Sequence, residues 1–415
     1  MLPALLLTLA ACDSAPKAIQ TIHTDSAGVP IATAVTPLWG PDERWAVDEL
    51  LVEIGTVDGP PEYQFADVVA AVRLGNGDIV VADRGASELR SYDAEGTFLW
   101  RTGREGEGPG EFQSLDFLGR MAGDSLVTYD PMLLRIQVFD AAGRLARTFR
   151  AELPRDAGSP GGSAPDRAVG VVGGRLIVRF VELDDEATPG IGSRWIDYRV
   201  VAVELQDGSA TSLVVVDGEE VDLRVGDGNG YSEERYAFGN MPEFGAAAGT
   251  VAVIDTEAYR VRLVSPLDGA IERIIRREVT PGAVTDAVFE AELEGIVQMV
   301  FPNPDAVPAE QVDRVRRMWR GFARAPVLPV LRSVHVDAQG NIWVARFHQA
   351  GADPLPFDVF AADGSWLGAV SLPPGLVQAY IHYLSPYLEI GDDYILGVWT
   401  GALDVQYVRM YRLNR

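Results

Sequence analysis

The sequence predicts an all-β fold, a six-bladed β-propeller with a helical insertion between blades four and five. Three observations predict it: short β-type runs are punctuated by glycine turns, the runs recur in groups of four, and the groups recur six times along the chain. The 43 glycines and 26 prolines among 415 residues are spread along the whole length, as many short strands with many turns require. A chain of this length with 47% hydrophobic residues buries a large core, so extended disorder is excluded. Its formal net charge of −25 repels phosphate backbones and anionic headgroups, which excludes nucleic acid as a partner class.

The chain opens "MLPALLLTLAACDSAPKA", where the apolar run Leu2 to Leu9 is too short to span a bilayer and ends in small residues before the sole cysteine. Leu9, Ala10, Ala11 and Cys12 resemble a bacterial lipoprotein signal, although no Lys or Arg precedes the run. The resemblance implies cleavage after residue 11, lipidation of Cys12, a tether over residues 12–43, and a cell-envelope location on a membrane. Without it, Cys12 reads as a buried, inert thiol. The propeller is then expected over residues 44–415.

The first group starts at Val68. Its first two runs meet at Gly75-Asn76-Gly77, and the last two at "DAEG", which ends in Gly96. The second group, from Leu115, repeats the order, with turns at Gly123-Asp124 and "DAAG". Looser copies begin at Ala168 and Phe244, a clear one at Leu331, and a sixth near Tyr380 that stops one strand short. The strand pattern "RWAVDELLVEIGT", Arg44 to Thr56, belongs to no group, so it is expected to complete the sixth sheet and close the ring.

Between the first two groups lies "REGEGPGEF", Arg104 to Phe112. Its glycines invite a phosphate-cradle reading, but Glu105, Glu107 and Glu111 repel an anion, Pro109 offers no N–H, and no GK[ST] follows. The stretch instead reads as a hinge, in which Gly106, Gly108 and Gly110 turn the chain from an outer strand toward the axis and Phe112 anchors the next blade. "GEGPGEF", "GDIVVAD" and "IQVFDAAG" together resemble NHL repeats and related bacterial six-bladed propellers. Some such propellers are hydrolases, lactonases or lyases that use a metal at the central channel.

Two stretches break the repeat. From about residue 282 to 325 the period becomes helical, with apolar stripes Val288, Phe289, Leu293, Ile296, Val297, Val300 and then Val312, Val315, Met318, Trp319, Phe322. These stripes either pack as an extra layer or cap one mouth of the channel, in which case Trp319 and Phe322 are contacts for a partner or ligand. The second, Asp217 to Phe244, is acidic and glycine-rich; its "DGNGYSEE" lacks EF-hand register, and a solvated loop is expected.

Catalytic signals are sparse. The four histidines, His23, His335, His348 and His382, occupy different blade positions and do not make an equivalent metal-binding ring. Asp83, Asp130 and Asp255, with Arg346 in the corresponding slot, either line one rim or accept hydrogen bonds from neighbouring turns. No GxSxG, HExxH or CxxC occurs. The sequence therefore assigns no catalytic residue, no metal ligand and no cofactor. It favours an exported, lipid-anchored binding module for an unidentified protein or small molecule over a metal-dependent propeller hydrolase, lactonase or lyase, or a structural envelope scaffold.

Overall fold

The computed structural model describes residues 19–40, 44–151, 163–182, 192–225, 231–301, 303–349, 356–376, 387–401 and 405–415. Cys12 and His382 lie outside them. Six antiparallel four-stranded meanders succeed one another along the chain, those of blades three and four joined into one eleven-stranded sheet by a parallel Gly170–Ala246 bridge, and their inner strands are Val68–Arg73, Phe117–Arg120, Ser163–Val172, Glu243–Ala247, Leu331–Val336 and Glu389–Ile390. The strands are short because turn residues recur every few positions. Asp93 illustrates the chemistry: its carboxylate accepts from Glu95 N–H at 3.1 Å and Thr97 N–H at 2.7 Å, and Asp140 does the same for Ala142 and Arg144.

Apolar side chains on both faces of each sheet leave no face for water, so each sheet is stable only between two others. Six buried clusters result, one at each junction of neighbouring blades. The ring is closed non-covalently inside blade six. There Ala46–Ile54 supplies the outer strand of blade six, pairing with Gln406–Asn414 in a register that sets Val52 opposite Met410 and Val47 opposite Leu413. Val52 and Ile54 then pack with Val68, Ile79 and Tyr92 of blade one. The chain ends thus close the ring.

Residues expected in the tether carry further structure. Thr21–Ser26 and Val29–Ala34 form a hairpin whose second strand adds in parallel to the outer strand of blade four, Ile271–Arg277, burying Ile31, Ala32 and Ala34. Leu38 and Trp39 N–H groups then bond to the carbonyls of Trp366 and Leu367 on blade five, both at 2.8 Å, and Trp39 stacks near Trp45, with ring centroids 5.0 Å apart. The segment is a strap running from blade four past blade five to blade six. Likewise, the acidic stretch after Asp217 is not simply a solvated loop: strand Ala210–Val225 continues through it and pairs with Tyr231–Arg235.

The "REGEGPGEF" connector acts as a hinge. Phe112 is fully buried, 6.2 Å from the Phe139 ring, while Gly106 N–H bonds to Phe112 O at 3.1 Å. Gly103 and Gly110 take φ values of 103° and 79°, a left-handed region that side chains resist. Glu111 faces inward to its own loop, accepting from Gly108 N–H at 2.7 Å and Arg104 Nε at 2.8 Å. A carboxylate therefore fills the place an anion would take in a phosphate cradle.

Candidate binding cavity at the capped channel

Side chains from the inner strands and their approaches meet around the axis and enclose a channel cavity of about 70 Å³. Val69 comes from blade one, Phe117 from blade two, Arg167 from blade three, Glu243 from blade four, His335 from blade five and Tyr387 from the approach to blade six. Charge concentrates where the inner strands begin. Asp116 precedes its strand, Glu243 opens one, and Arg332 is the second residue of another.

Burial governs how these groups titrate. Asp116 is pushed above the usual carboxylate range by burial, against the pull of Arg167 and of Arg84, whose Nη1 lies 3.0 Å from its Oδ1. The His335 imidazole faces the channel from deep inside and is held down to about 4, by burial first and the Arg167 charge second. Burial also opposes the charge of Arg179, but Asp166, its ion-pair partner, and Glu243 more than offset it and hold the guanidinium above its ordinary value. Arg179 further lies over the rings of Tyr198 at 4.4 Å and Phe244 at 5.5 Å.

The same end of the ring carries the connectors between blades. Asp83, which closes the second strand of blade one, accepts from Ala66 and Asp67 N–H at 3.2 and 3.0 Å and from Ala86 N–H at 3.4 Å. Asp130 holds Gln113, Ser114 and Leu133 in the same way. These two are turn anchors. In blade four the task passes to Asn240 and Thr256, which bond to each other at 3.0 Å, leaving Asp255 to pair with Arg262 at 2.8 Å. Arg346 instead approaches the buried Asp358 at 3.6 Å.

Helix α1, Asp286–Val300, starts where the Thr285 hydroxyl accepts from Val288 N–H at 3.2 Å; helix α2, Ala309–Gly321, follows Pro308. Their stripes make a separate small core of Phe289, Leu293, Val297 and Val312, packed with Ala237 and Phe238 from the connector between blades three and four. Outside it, Arg316, Arg320 and Arg324 pair with Glu294, Glu290 and Asp286 at 2.8, 2.8 and 2.7 Å. Exposed pairs of this kind add little stability each, so the apolar core is the main attachment. Both ends of the insert are tied down, since Ala325 N–H bonds to Ala237 O at 3.0 Å and Leu328 N–H to Gly282 O at 2.8 Å.

Between helices and ring lies a second cavity of about 120 Å³. It shares Arg167, Arg179 and Glu243 with the channel, so these side chains stand between the two cavities. Trp319 from α2 and Glu292 from α1 form its roof, and Phe238, Phe347 and Met241 add apolar wall. Glu292 is 5% exposed, a charged residue inside an otherwise apolar helix face. Arg332 sits near both Glu292 and Glu243; burial pulls its affinity for the proton down and the two carboxylates restore part of it. The indole Nε1 of Trp319 is buried and has no hydrogen-bond acceptor among the described residues.

The structure thus places Trp319, half-buried, in the wall of a cavity at the channel mouth, whereas Phe322 packs 5.2 Å from it within the helical core and does not line the cavity. His335 lines the channel, His348 is half-buried with Nδ1 3.2 Å from Arg346 O, and His23 lies on the exposed strap hairpin. Among the described residues no three or more His, Cys, Asp or Glu side chains are grouped to hold a metal ion, and no helix is long and apolar enough to cross a membrane. Arg167, Arg179, Glu243, Glu292 and Arg332 were not singled out by sequence reasoning. A usable signal exists for Glu243 and Arg332, each a charged residue at the start of an apolar inner strand.

No protein-family model and no curated protein sequence matches this chain, so the likeness to NHL repeats rests on the quoted motifs alone. Solved structures of similar outline include a Bacteroides fragilis protein inferred to be exported, at 11% identity and TM-score 0.47 over 91% of this chain and 98% of that one. A DUF4221 family member from Bacteroides vulgatus shows 8% identity and TM-score 0.47, covering 90% and 96%. Virginiamycin B lyase from Staphylococcus aureus shows 9% identity and TM-score 0.41, covering 89% and 100%. The six-bladed assignment stands on the sheet register and the six inter-blade cores.

Proposed function

We propose that this chain is an exported, lipid-anchored binding protein of the cell envelope whose ligand sits under the helical insert, at the mouth of the channel. The supporting observation is the cavity under the insert, next to the channel: it is concave, mixes a few convergent charged groups with aromatic wall, and is roofed by an insert that the propeller does not need for closure. Trp319 is the anchor in this reading, and Phe322 supports it from behind. Anchoring rests on Leu9 to Cys12, with the thioether to diacylglycerol formed at the Cys12 thiol.

Two experiments test the reading. A library of small polar metabolites is screened for compounds that raise the melting temperature, and hits are repeated on Trp319→Ala; shifts that survive the substitution undiminished place the site elsewhere. Cys12→Ala is fractionated in the organism of origin with carbonate washing. The variant is expected to leave the membrane fraction, and its retention there contradicts lipid anchoring.

A further inference from the structure

We infer that the cavity under the insert takes a neutral carbohydrate, one sugar ring at a time. The inference deepens the binding reading above and rests on it.

The first argument is charge. Three arginines, Arg167, Arg179 and Arg332, and four glutamates, Glu219, Glu220, Glu243 and Glu292, line the cavity, so it is within one charge of neutral in a chain of net charge −25. Several of these charges are already engaged: Arg179 pairs with Asp166, Arg235 with Glu219 at 3.0 Å, and Arg332 stands near Glu243 and Glu292. An entering anion meets the glutamates and an entering cation the arginines, and either disturbs pairs that burial makes costly to break. A neutral ligand avoids both.

The second argument is hydrogen-bond type. Guanidinium groups only donate and carboxylates only accept, so a ligand that uses both needs acceptors as well as donors. A hydroxyl supplies both in one group, and a sugar carries several around one ring. Trp319 adds an indole edge whose Nε1–H is buried and has no acceptor among the described residues.

The third argument is shape. Trp319, Phe238 and Phe347 provide apolar wall for the C–H face of a sugar, against which aromatic rings pack while their polar edges bond outward. The cavity volume of about 120 Å³ compares with the engineered apolar cavity of about 150 Å³ that holds a benzene ring. That volume admits one six-membered ring and not two.

The test holds the ring constant and varies its charge. Glucose, galactose, mannose and N-acetylglucosamine are titrated beside glucuronate and glucosamine into the full propeller labelled with 15N-tryptophan. The Trp319 indole N–H resonance, assigned by its loss in Trp319→Phe, is followed. At least one neutral sugar is expected to shift this resonance to saturation, with the charged rings about tenfold or more weaker. By melting shifts, Trp319→Phe should bind that sugar about threefold more weakly and Trp319→Ala at least tenfold. If a charged ring binds tighter, or if only indole, added as a non-sugar aromatic probe, moves the resonance, the carbohydrate inference is overturned while the binding reading stands. If none of these compounds moves it and the metabolite library gives no Trp319-dependent shift, both fall.

Discussion

A neutral imidazole at His335 ties the stability of the ring to pH. Its value is held near 4 in the folded protein against 6.5 in the unfolded chain, so between these limits the unfolded chain binds more protons. The contribution is fully present above about pH 6.5 and declines as pH falls toward 4, by up to about 3 kcal/mol for a shift of this size. His335→Gln is expected to flatten the fall of melting temperature between pH 6.5 and 4; an unchanged slope contradicts the assignment. The hinge glycines allow a second residue-scale contrast. Alanine at Gly110 meets no atom within 4 Å and carries only the left-handed strain, about 1–2 kcal/mol, whereas at Gly103 its Cβ lies 2.7 Å from Ser87 O and 2.8 Å from the Phe112 ring. Gly103→Ala should therefore lower the melting temperature clearly more than Gly110→Ala. Equal losses would mean that strain alone acts there. The hinge role was legible because Gly, Pro and Glu chemistry excludes the alternative locally. Arg332 and Glu292 were not legible as a site, since they are forty residues apart in sequence and only tertiary packing brings a strand start beneath a helix.

At the scale of elements, the two N-terminal pieces differ in what they hold. Ala46–Ile54 completes a sheet and an inter-blade core at once, so deletion of residues 44–56 bares the edge of Gln406–Asn414 and the apolar Val408, Met410 and Leu413. Non-cooperative melting and aggregation are expected. The strap hairpin adds to an outer edge and lends Ala34 to the core between blades four and five, and its loss removes the burial of Ile31, Ala32 and Ala34, about 3 kcal/mol. A chain lacking residues 19–34 should melt cooperatively at a lower temperature; collapse of cooperativity there would show that the strap also holds the ring. Closure by Arg44 to Thr56 was legible because the sixth group visibly lacks a strand. The strap hairpin was passed over as tether although "DSAG" at Asp25 to Gly28 repeats the Asp-x-x-Gly turn of the first two blades, with Gly28 N–H bonded to Asp25 Oδ1 at 2.9 Å. Parallel addition to an outer strand belongs to no meander, and so the repeat pattern does not announce it.

For the whole molecule, six inter-blade cores make the ring one cooperative body, and the helical insert, with its separate core, is added to it. Stability resides in the ring, and the candidate site arises where ring and insert meet. The helical period was legible at residues 282–325; that its helices roof a cavity was not, because an amphipathic stripe specifies burial without naming what it is buried against. The most direct measurement uses the close approach of the insert ends, where Val284 N–H bonds to Pro326 O at 3.1 Å and Ala283 bridges Val327. Residues 285–325 are replaced by a short Gly-Asn turn, and ligand-induced melting shifts are compared between this chain and the intact protein across the same polar metabolites and sugars. The account predicts cooperative melting in both and ligand-induced shifts only in the intact protein. Equal shifts in the two chains would contradict it.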